Sequence, residues 1–198
     1  MATASPLLGG PPAPGKIILL NGASSSGKST LAAALQLVLD EPFWHCSIDH
    51  LLAAKVLPTK RIDDGHFSWR DLRPRFFAGF HATLPVLAEA GNNLVVEHII
   101  ETAEWMDRLA RLLQAHDVYF VGLHCPLEEL ERRERARGDR RVGEARGDFE
   151  TTHRFCSYDL EVSSSRPVAQ VAEAVVAAWK SRSVPSAFAR VARHSSPP

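Results

Sequence analysis

The chain has 198 residues, of which 45% are hydrophobic and 23% charged, and its 23 basic residues balance its 23 acidic residues. This composition is typical of one ordinary globular domain and excludes a disordered chain, while the lack of any apolar run of about 18 residues predicts no membrane span. With zero net charge, the chain has no global attraction for nucleic acid or an anionic membrane, so we expect neither as a partner.

The cysteines and histidines are too scattered to predict a disulfide framework or a zinc site. None of the three cysteines belongs to a C-x-x-C pair, and none of the nine histidines has a recognisable ligand spacing. The N-terminal segment is rich in Pro and Gly and lacks the basic start of a signal peptide, which predicts a cytoplasmic protein.

The pattern along the chain predicts one domain over 16–182, between a flexible leader over 1–15 and a polar tail over 183–198 with at most a short helix. Apolar strands alternate with helices, which indicates a three-layer α/β fold with a five-stranded parallel sheet covered on both faces. In chain order, we predict a strand over 16–21, a helix over 28–39, a strand over 44–49, helices over 50–57 and 71–90, a strand over 93–98, a helix over 103–114, a strand over 117–124, a helix over 127–137, a strand over 158–162 and a helix over 168–180.

A glycine-rich turn between the first strand and the first helix matches the phosphate-binding pattern G-x-x-x-x-G-K-[ST]. Its backbone N–H groups and the helix N-terminus suit phosphate oxygens, while Lys28 is expected to reach the β- and γ-phosphates in catalysis and Ser29 to ligate Mg²⁺. A plain Gly/Ser turn is the alternative, but the required strand and helix are present on both sides. The residues predicted to hold ATP are Gly22, Ala23, Ser24, Ser25, Ser26, Gly27, Lys28, Ser29 and Thr30.

Several classes of nucleotide-binding protein carry such a loop, and the remaining sequence favours one of them. No N-K-x-D motif for guanine follows the fourth strand, and the chain is short for a mechanical ATPase. The small size, the single phosphate loop and an arginine-rich segment late in the chain favour a P-loop NTPase of the nucleotide-kinase type.

Two carboxylates are predicted at the carboxyl edge of the sheet, where α/β proteins bind their ligands. Asp49 is expected to end the second strand and is the candidate that accepts or orients the proton of an acceptor hydroxyl, although it also suits an N-cap. Glu97 is expected to end the third strand and, with Ser29, to hold Mg²⁺. Glu97 would do so through water, in a Walker-B-like arrangement in which aspartate is more usual. His98 beside it is a weaker candidate, because a lone histidine at a strand end is more often structural.

Seven arginines lie within residues 131–146. Glu–Arg pairs at helical spacing on a solvated helix explain Arg132 and Arg133. Gly138 interrupts that helix, and we predict a lid over about 137–148 whose Arg137 and Arg140 stabilise phosphoryl charge in the transition state. A nucleic-acid patch is disfavoured because no aromatic residues are interspersed among these arginines.

Aromatic residues concentrate in the segment expected to cover the acceptor side of the cleft. They suit a partly apolar acceptor with a hydroxyl near Asp49, but those at helical spacing also suit a core position. They are Phe67, Trp69, Phe76, Phe77, Phe80 and, shortly after, Trp105.

From about residue 16 to residue 180, the sequence resembles the chloramphenicol phosphotransferases. The resemblance is carried by Ile17–Ser29, by Glu41-Pro42-Phe43-Trp44 followed by Ile48-Asp49-His50-Leu51, by Ala136-Arg137-Gly138-Asp139-Arg140, by His153 and by Tyr158–Val162. It implies ATP-dependent phosphorylation of an alcohol, in that family the 3′-hydroxyl of chloramphenicol, with Asp49 activating the hydroxyl and Arg137 and Arg140 in the lid. The chain departs from the family at Glu97-His98, which replaces an acidic pair, and over 55–75, which should shape the acceptor pocket.

These observations predict a Mg²⁺- and ATP-dependent O-phosphotransferase for a small hydroxylated acceptor, chloramphenicol or a related antibiotic in the leading interpretation. A metabolite, nucleotide or sugar-nucleotide kinase, including a toxin-like one, would use the same machinery. A nucleotide-binding regulatory module without phosphotransfer is the third interpretation, and the presence of Lys28, Ser29 and Asp49 argues against it. The oligomeric state is left open.

Overall fold

The computed structural model describes residues 13–137, 143–184 and 186–194, with the side chains of 137 and 192–194 outside the description. In these ranges the strands are β1 (Ile17–Asn21), β2 (Phe43–Ser47), β3 (Asn93–His98), β4 (Val118–His124) and β5 (Leu160–Ser163). The helices are α1 (Lys28–Val38), α2 (Ile48–Ala53), α3 (Thr59–Asp63), α4 (Trp69–Glu89), α5 (Ala103–Leu112), α6 (Leu127–Arg137), α7 (Glu144–Thr151), α8 (Val168–Lys180) and α9 (Ala187–His194).

The five strands form one parallel sheet in the order β2-β3-β1-β4-β5, which confirms the predicted architecture. The central strand β1 is buried along its whole length, as its uninterrupted apolar sequence predicts. Its alternate side chains supply two separate cores. Ile18 and Leu20 pack with α1 and α8 on one face, and Ile17 and Leu19 pack with α4, α5 and α9 on the other.

The helices bury apolar stripes against these faces. On α5, Met106, Leu109 and Ala110 are buried at helical spacing, while the N-terminus is capped by Thr102, whose hydroxyl accepts the N–H of Trp105 at 3.2 Å. The predicted helix at α5 is therefore confirmed, and it buries the apolar stripe that its periodicity indicates.

The second strand ends two residues earlier than predicted. Ser47 closes β2 and caps α2, because its hydroxyl accepts the backbone N–H of Asp49 at 3.1 Å. Asp49 consequently lies in the first turn of α2, so its predicted position at a strand end is wrong. Its alternative role as the N-cap is taken by Ser47.

Three short helices lie outside the prediction or at its edge. α3 and α7 were not predicted as helices, and α7 begins inside the segment predicted as a lid. α9 lies in the segment predicted as a polar tail with at most a short helix, yet Ala187 and Phe188 are buried and Phe188 belongs to the core beside Phe120. The predicted domain boundary at 182 therefore excludes a helix that completes the core. No helix within the described ranges is long and apolar enough to cross a membrane.

Removing the Phe188 ring should test whether α9 is part of the domain. We expect Phe188→Ala to lower the free energy of unfolding by about 3 kcal/mol, because it leaves a cavity in the core. Val184→Ala in the same segment is the control, because Val184 is exposed. Urea unfolding measures both, and equal stability of the two variants would contradict a structural role for α9.

Candidate active site

The phosphate loop adopts a geometry that depends on both of its glycines. Gly27 has a φ of +98°, in the left-handed region that favours glycine, and Ser25 shares that region with a φ of 62°. Gly22 is required for space, since a Cβ there would lie 2.7 Å from the carbonyl oxygen of Leu123. The loop thus leads directly from β1 into the N-terminus of α1.

The loop contains a buried ammonium group and a buried hydroxyl group. The buried Lys28 Nζ donates to the carbonyl oxygens of Gly22 and Ala23, at 2.8 and 2.9 Å. The Oγ of Ser25 is buried and has no hydrogen-bond partner within the described residues, so this hydroxyl remains available for a phosphate oxygen. These donors fit the phosphates of a nucleotide.

Ser29 and Glu97, the predicted magnesium pair, are in direct contact. The Ser29 hydroxyl lies 2.8 and 3.0 Å from the two carboxylate oxygens of Glu97, and His45 Nε2 lies 2.9 Å from one of them. Burial would raise the pKa of Glu97, but the hydrogen bonds from His45 and Ser29 and the Lys28 charge outweigh it and hold that pKa below its ordinary value. A hydroxyl and an ionised carboxylate are oxygen ligands of the kind that Mg²⁺ takes.

Strand alternation separates Glu97 from its neighbour His98. Both line the same cleft, but Glu97 faces α1, whereas His98 packs among the aromatic side chains of the other face. His98 Nε2 lies 2.7 Å from His81 Nε2, and both rings are buried. Burial, with a smaller contribution from Arg108, lowers the pKa of His81 to about 4, and burial together with His81 lowers that of His98 to about 3.

A cleft of about 600 Å³ opens at the carboxyl edge of the sheet and contains most of the predicted site. Asp49 lines it from α2, and Glu97 lines it from β3. Gly22, Ala23 and Ser26 are buried and do not line it. The predicted loop residues that do are Ser24, Ser25, Gly27, Lys28, Ser29 and Thr30.

The two predicted lid arginines lie outside the described part of the site. Arg137 ends α6, but its side chain is not described, and Arg140 belongs to the undescribed residues 138–142. Next to that gap, the Glu134 carboxylate accepts the N–H groups of Gly143 and Ala145, each at 2.8 Å, and so attaches the start of α7 to α6.

Arg133 is a site residue that the sequence pattern assigned to a solvated helix. Its guanidinium does pair with Glu129, as predicted, but it also donates to the carbonyl oxygens of Ser26 and Ser164, at 3.2 and 3.4 Å. Arg132 on the same helix pairs with Glu129 and is exposed, as the pattern indicates. Both arginines line the cleft, but only Arg133 shows a hydrogen bond to the loop among the described contacts, and helical spacing identified neither feature.

Asp148 is a second residue that sequence analysis missed. Its carboxylate accepts the backbone N–H of Ser24 at 2.9 Å and so joins α7 to the phosphate loop. The other end of α7 is held by Asn21, whose side chain donates to the carbonyl oxygen of Thr152 at 2.9 Å. No local pattern signals either contact, because each joins residues more than a hundred positions apart.

The aromatic residues divide between core and cleft. Phe76 and Phe80 pack with the core, as their helical spacing allows, whereas Phe77 lines the cleft and stacks on Trp105 with ring centroids 4.7 Å apart. Arg73 lies over the Phe77 ring and pairs with Glu101, which also lines the cleft. This side of the cleft therefore combines an aromatic face with the ion pair of Arg73 and Glu101.

Comparison with known families assigns the chain to one of them. The family model described as chloramphenicol phosphotransferase-like protein matches residues 15–180. The chain belongs to this family. A Mycobacterium tuberculosis protein, present in strains CDC 1551 and H37Rv and named "Putative O-phosphotransferase", is 30% identical over 197 residues, covering 89% of this chain and 88% of the relative.

Solved structures share the fold at low identity. Adenylylsulfate (APS) kinase from Mycobacterium tuberculosis, in complex with AMPPNP and APS, has a TM-score of 0.64 and 22% identity over 85% of this chain and 99% of that one. The tunicamycin resistance protein of Deinococcus radiodurans has a TM-score of 0.60 and 22% identity over 82% and 94% of the two chains. Shikimate kinase from Aquifex aeolicus has a TM-score of 0.59 and 19% identity over 83% and 96%. The fold of the chloramphenicol phosphotransferase-like chain is thus that of P-loop kinases, and the family and its named relatives support a kinase.

Replacing Arg133 should weaken nucleotide binding. We expect Arg133→Gln to raise the dissociation constant of ATP by about tenfold, because the loop loses charged hydrogen bonds to its carbonyl groups. Arg135→Gln is the matched control, because Arg135 lies two positions away on the same helix, is exposed and does not line the cleft. Calorimetric titration measures both, and an equal loss in the two variants would contradict a specific role for Arg133.

The buried histidine pair should make stability depend on pH. An unfolded histidine has a pKa of about 6.5. Just below that pH the unfolded chain binds protons at these positions, whereas the rings of His81 and His98 in the folded chain remain unprotonated. Their contribution is therefore complete above about pH 6.5 and is lost as the pH falls toward the lowered pKa values, at about 1.4 kcal/mol per pH unit for each ring.

His81→Gln should reduce that dependence. It removes one ring while keeping a polar partner for His98, so we expect the slope of unfolding free energy against pH to fall by roughly 1 kcal/mol per unit between about pH 6 and pH 5. Urea unfolding at several pH values gives the slope. His66→Gln, at an exposed histidine, is the control, and a slope unchanged in His81→Gln would contradict a neutral buried pair.

Proposed function

We propose that this protein is a Mg²⁺- and ATP-dependent O-phosphotransferase that transfers the γ-phosphate to a hydroxyl group of a small molecule. The observation that carries the proposal is the contact between Ser29 and Glu97 in the cleft that Asp49 also lines. The cleft would then hold two metal ligands, the phosphate loop and a carboxylate base around one space. Membership of the chloramphenicol phosphotransferase-like family supports the same reaction class.

ATP would lie along the phosphate loop. The loop N–H groups and the start of α1 suit the phosphate charge, and Lys28 would exchange its contacts with Gly22 and Ala23 for phosphate oxygens. Ser29 and Glu97 would hold Mg²⁺, which supplies neutralisation of charge on the β- and γ-phosphates. Arg133 would help to hold the loop in place, because its guanidinium donates to the backbone carbonyl oxygen of Ser26.

Asp49 would orient the acceptor. Asp49 lies in the first turn of α2, two residues after the capping residue Ser47, and lines the cleft. During in-line transfer the acceptor oxygen forms the new bond to the γ-phosphorus as the bond to the β–γ bridging oxygen breaks, and Asp49 accepts the hydroxyl proton. Arg137 and Arg140 are proposed to stabilise the phosphoryl charge from the lid.

The acceptor is proposed to be partly apolar, with chloramphenicol or a related antibiotic as the leading candidate. Phe77 and its stacked neighbour Trp105 offer a flat apolar surface beside Glu101. A metabolite, nucleotide or sugar-nucleotide acceptor would use the same loop, metal ligands and base. Arg73, which belongs to the segment over 55–75 where resemblance to the family is weakest, lies over the Phe77 and Trp105 rings.

An acceptor panel tests the proposal. The full chain is incubated with ATP, Mg²⁺ and either chloramphenicol, related antibiotics or a set of hydroxylated metabolites, and products are examined for a phosphate mass gain. Acceptor-dependent ADP release is the expected result. ATP binding with no ADP release across the panel would overturn phosphotransfer and favour a nucleotide-binding regulatory module, while transfer only to a metabolite would overturn the antibiotic acceptor.

Asp49→Asn provides the variant arm of the same assay. We expect the turnover number to fall by about a hundredfold or more with little change in ATP affinity, because the amide cannot accept the hydroxyl proton. Asp64→Asn is the control, since Asp64 pairs with Lys60 on α3 and does not line the cleft. Full turnover by Asp49→Asn would exclude Asp49 as the base.

A further inference from the structure

Three metal-ligating side chains meet beside the phosphate loop although the sequence gives them no recognisable ligand spacing. His45, His50 and Glu97 each offer one ligand atom, and these atoms all lie within 4.8 Å of one another. Among the residues that the structure describes, no other group of three or more His, Cys, Asp or Glu side chains converges in this way.

The strand register creates this cluster. Ser47 of β2 lies opposite Glu97 of β3, and His45, two residues earlier, points to the same face of the sheet as Ser47. His45 therefore reaches Glu97 diagonally across the two strands. The chain then turns directly into α2, which brings the His50 ring to the His45 ring with centroids 4.4 Å apart.

The separation of the donor atoms suits a metal ion. His45 Nε2 and Glu97 Oε1 are 2.9 Å apart, close to the spacing of about 3.3 Å between two ligands of a tetrahedral ion held at about 2.0 Å. Two imidazoles and one carboxylate form a ligand set of Zn²⁺ and its neighbours, with a fourth position left for water. Mg²⁺ takes oxygen ligands instead, so this set differs in kind from the Ser29–Glu97 pair.

We propose that His45, His50 and Glu97 form a binding site for a divalent transition metal of the zinc class. His50 is exposed, which gives the ion access from solvent, and Glu97 is buried and contributes the negative charge. The nitrogen ligands discriminate in favour of this class of ion over Mg²⁺.

Because Glu97 belongs to both metal sites, binding of a transition metal should affect phosphotransfer. This expectation rests on the proposed function. An ion bound by His45 and His50 is also coordinated by the Glu97 carboxylate, the same group proposed to hold Mg²⁺ with Ser29. Occupancy of the transition-metal site therefore raises the Mg²⁺ concentration that phosphotransfer requires. Binding itself involves neither nucleotide nor acceptor.

Metal binding is tested first, on the full chain without nucleotide and after chelation of metals. Titration with Zn²⁺ should give one equivalent of binding, and Co²⁺ as a spectroscopic probe should give the visible absorption of a four-coordinate site with nitrogen and oxygen ligands. His50→Ala should weaken both by at least about tenfold. His66→Ala, which removes an exposed histidine outside the cluster and keeps all three cysteines, should bind as the original chain does.

Three results would overturn the site: no binding by the original chain, equal binding by His50→Ala, or thiolate-to-cobalt charge-transfer bands that assign the ion to a cysteine. His45→Gln gives a second variant in case His50→Ala alters folding, which circular dichroism monitors. It keeps a hydrogen-bond donor for Glu97 and removes one metal ligand.

Sharing of Glu97 is tested separately in the phosphotransfer assay. The Mg²⁺ concentration that gives half-maximal phosphotransfer is measured with and without Zn²⁺, and the first value is divided by the second. This ratio should exceed one in the original chain and return toward one in His50→Ala. A ratio of one in the original chain would contradict the sharing. Absence of phosphotransfer would instead contradict the proposed function, and the binding titration would still decide the metal site.

Discussion

The register of three neighbouring parallel strands underlies the whole candidate site. Glu97 pairs with Leu20 of β1 on one side and with Ser47 of β2 on the other, just where β1 turns into the phosphate loop and β2 turns into α2. The carboxylate therefore reaches Ser29 from the loop helix, while Asp49 follows the cap of α2 on the same cleft. A slip of one residue would turn Glu97 to the opposite face and place the His98 imidazole near Ser29 instead.

The same alternation divides β3 into two chemical environments. Glu97 faces the loop helix, where a hydroxyl, an imidazole and an ammonium group favour its charged form. One residue later, His98 enters an apolar face with His81, and burial favours the neutral form of both rings. Adjacent residues thus place an ionised carboxylate on one side of the sheet and a neutral, packed imidazole on the other.

The phosphate loop is also the point at which distant segments are joined. Lys28 contacts the loop's own carbonyl groups, Arg133 reaches it from α6, and Asp148 reaches it from α7. Arg133 lies four residues before the segment predicted as a lid, over about 137–148, and Asp148 lies at its end. The loop therefore joins α6 and α7 to the start of α1.

The amino-acid sequence by itself determined the alternation of strands and helices, the phosphate loop and the Ser29–Glu97 pair, because these depend on short-range periodicity, on glycine geometry and on strands that end at a common edge. It misjudged where Asp49 lies, since a capping hydroxyl at Ser47 decided where β2 ends. It assigned Arg133 to solvent and Phe188 to a polar tail. Only the tertiary structure decided those positions, together with the meeting of His45, His50 and Glu97, because strand order and register bring together residues whose separation along the chain carries no local pattern.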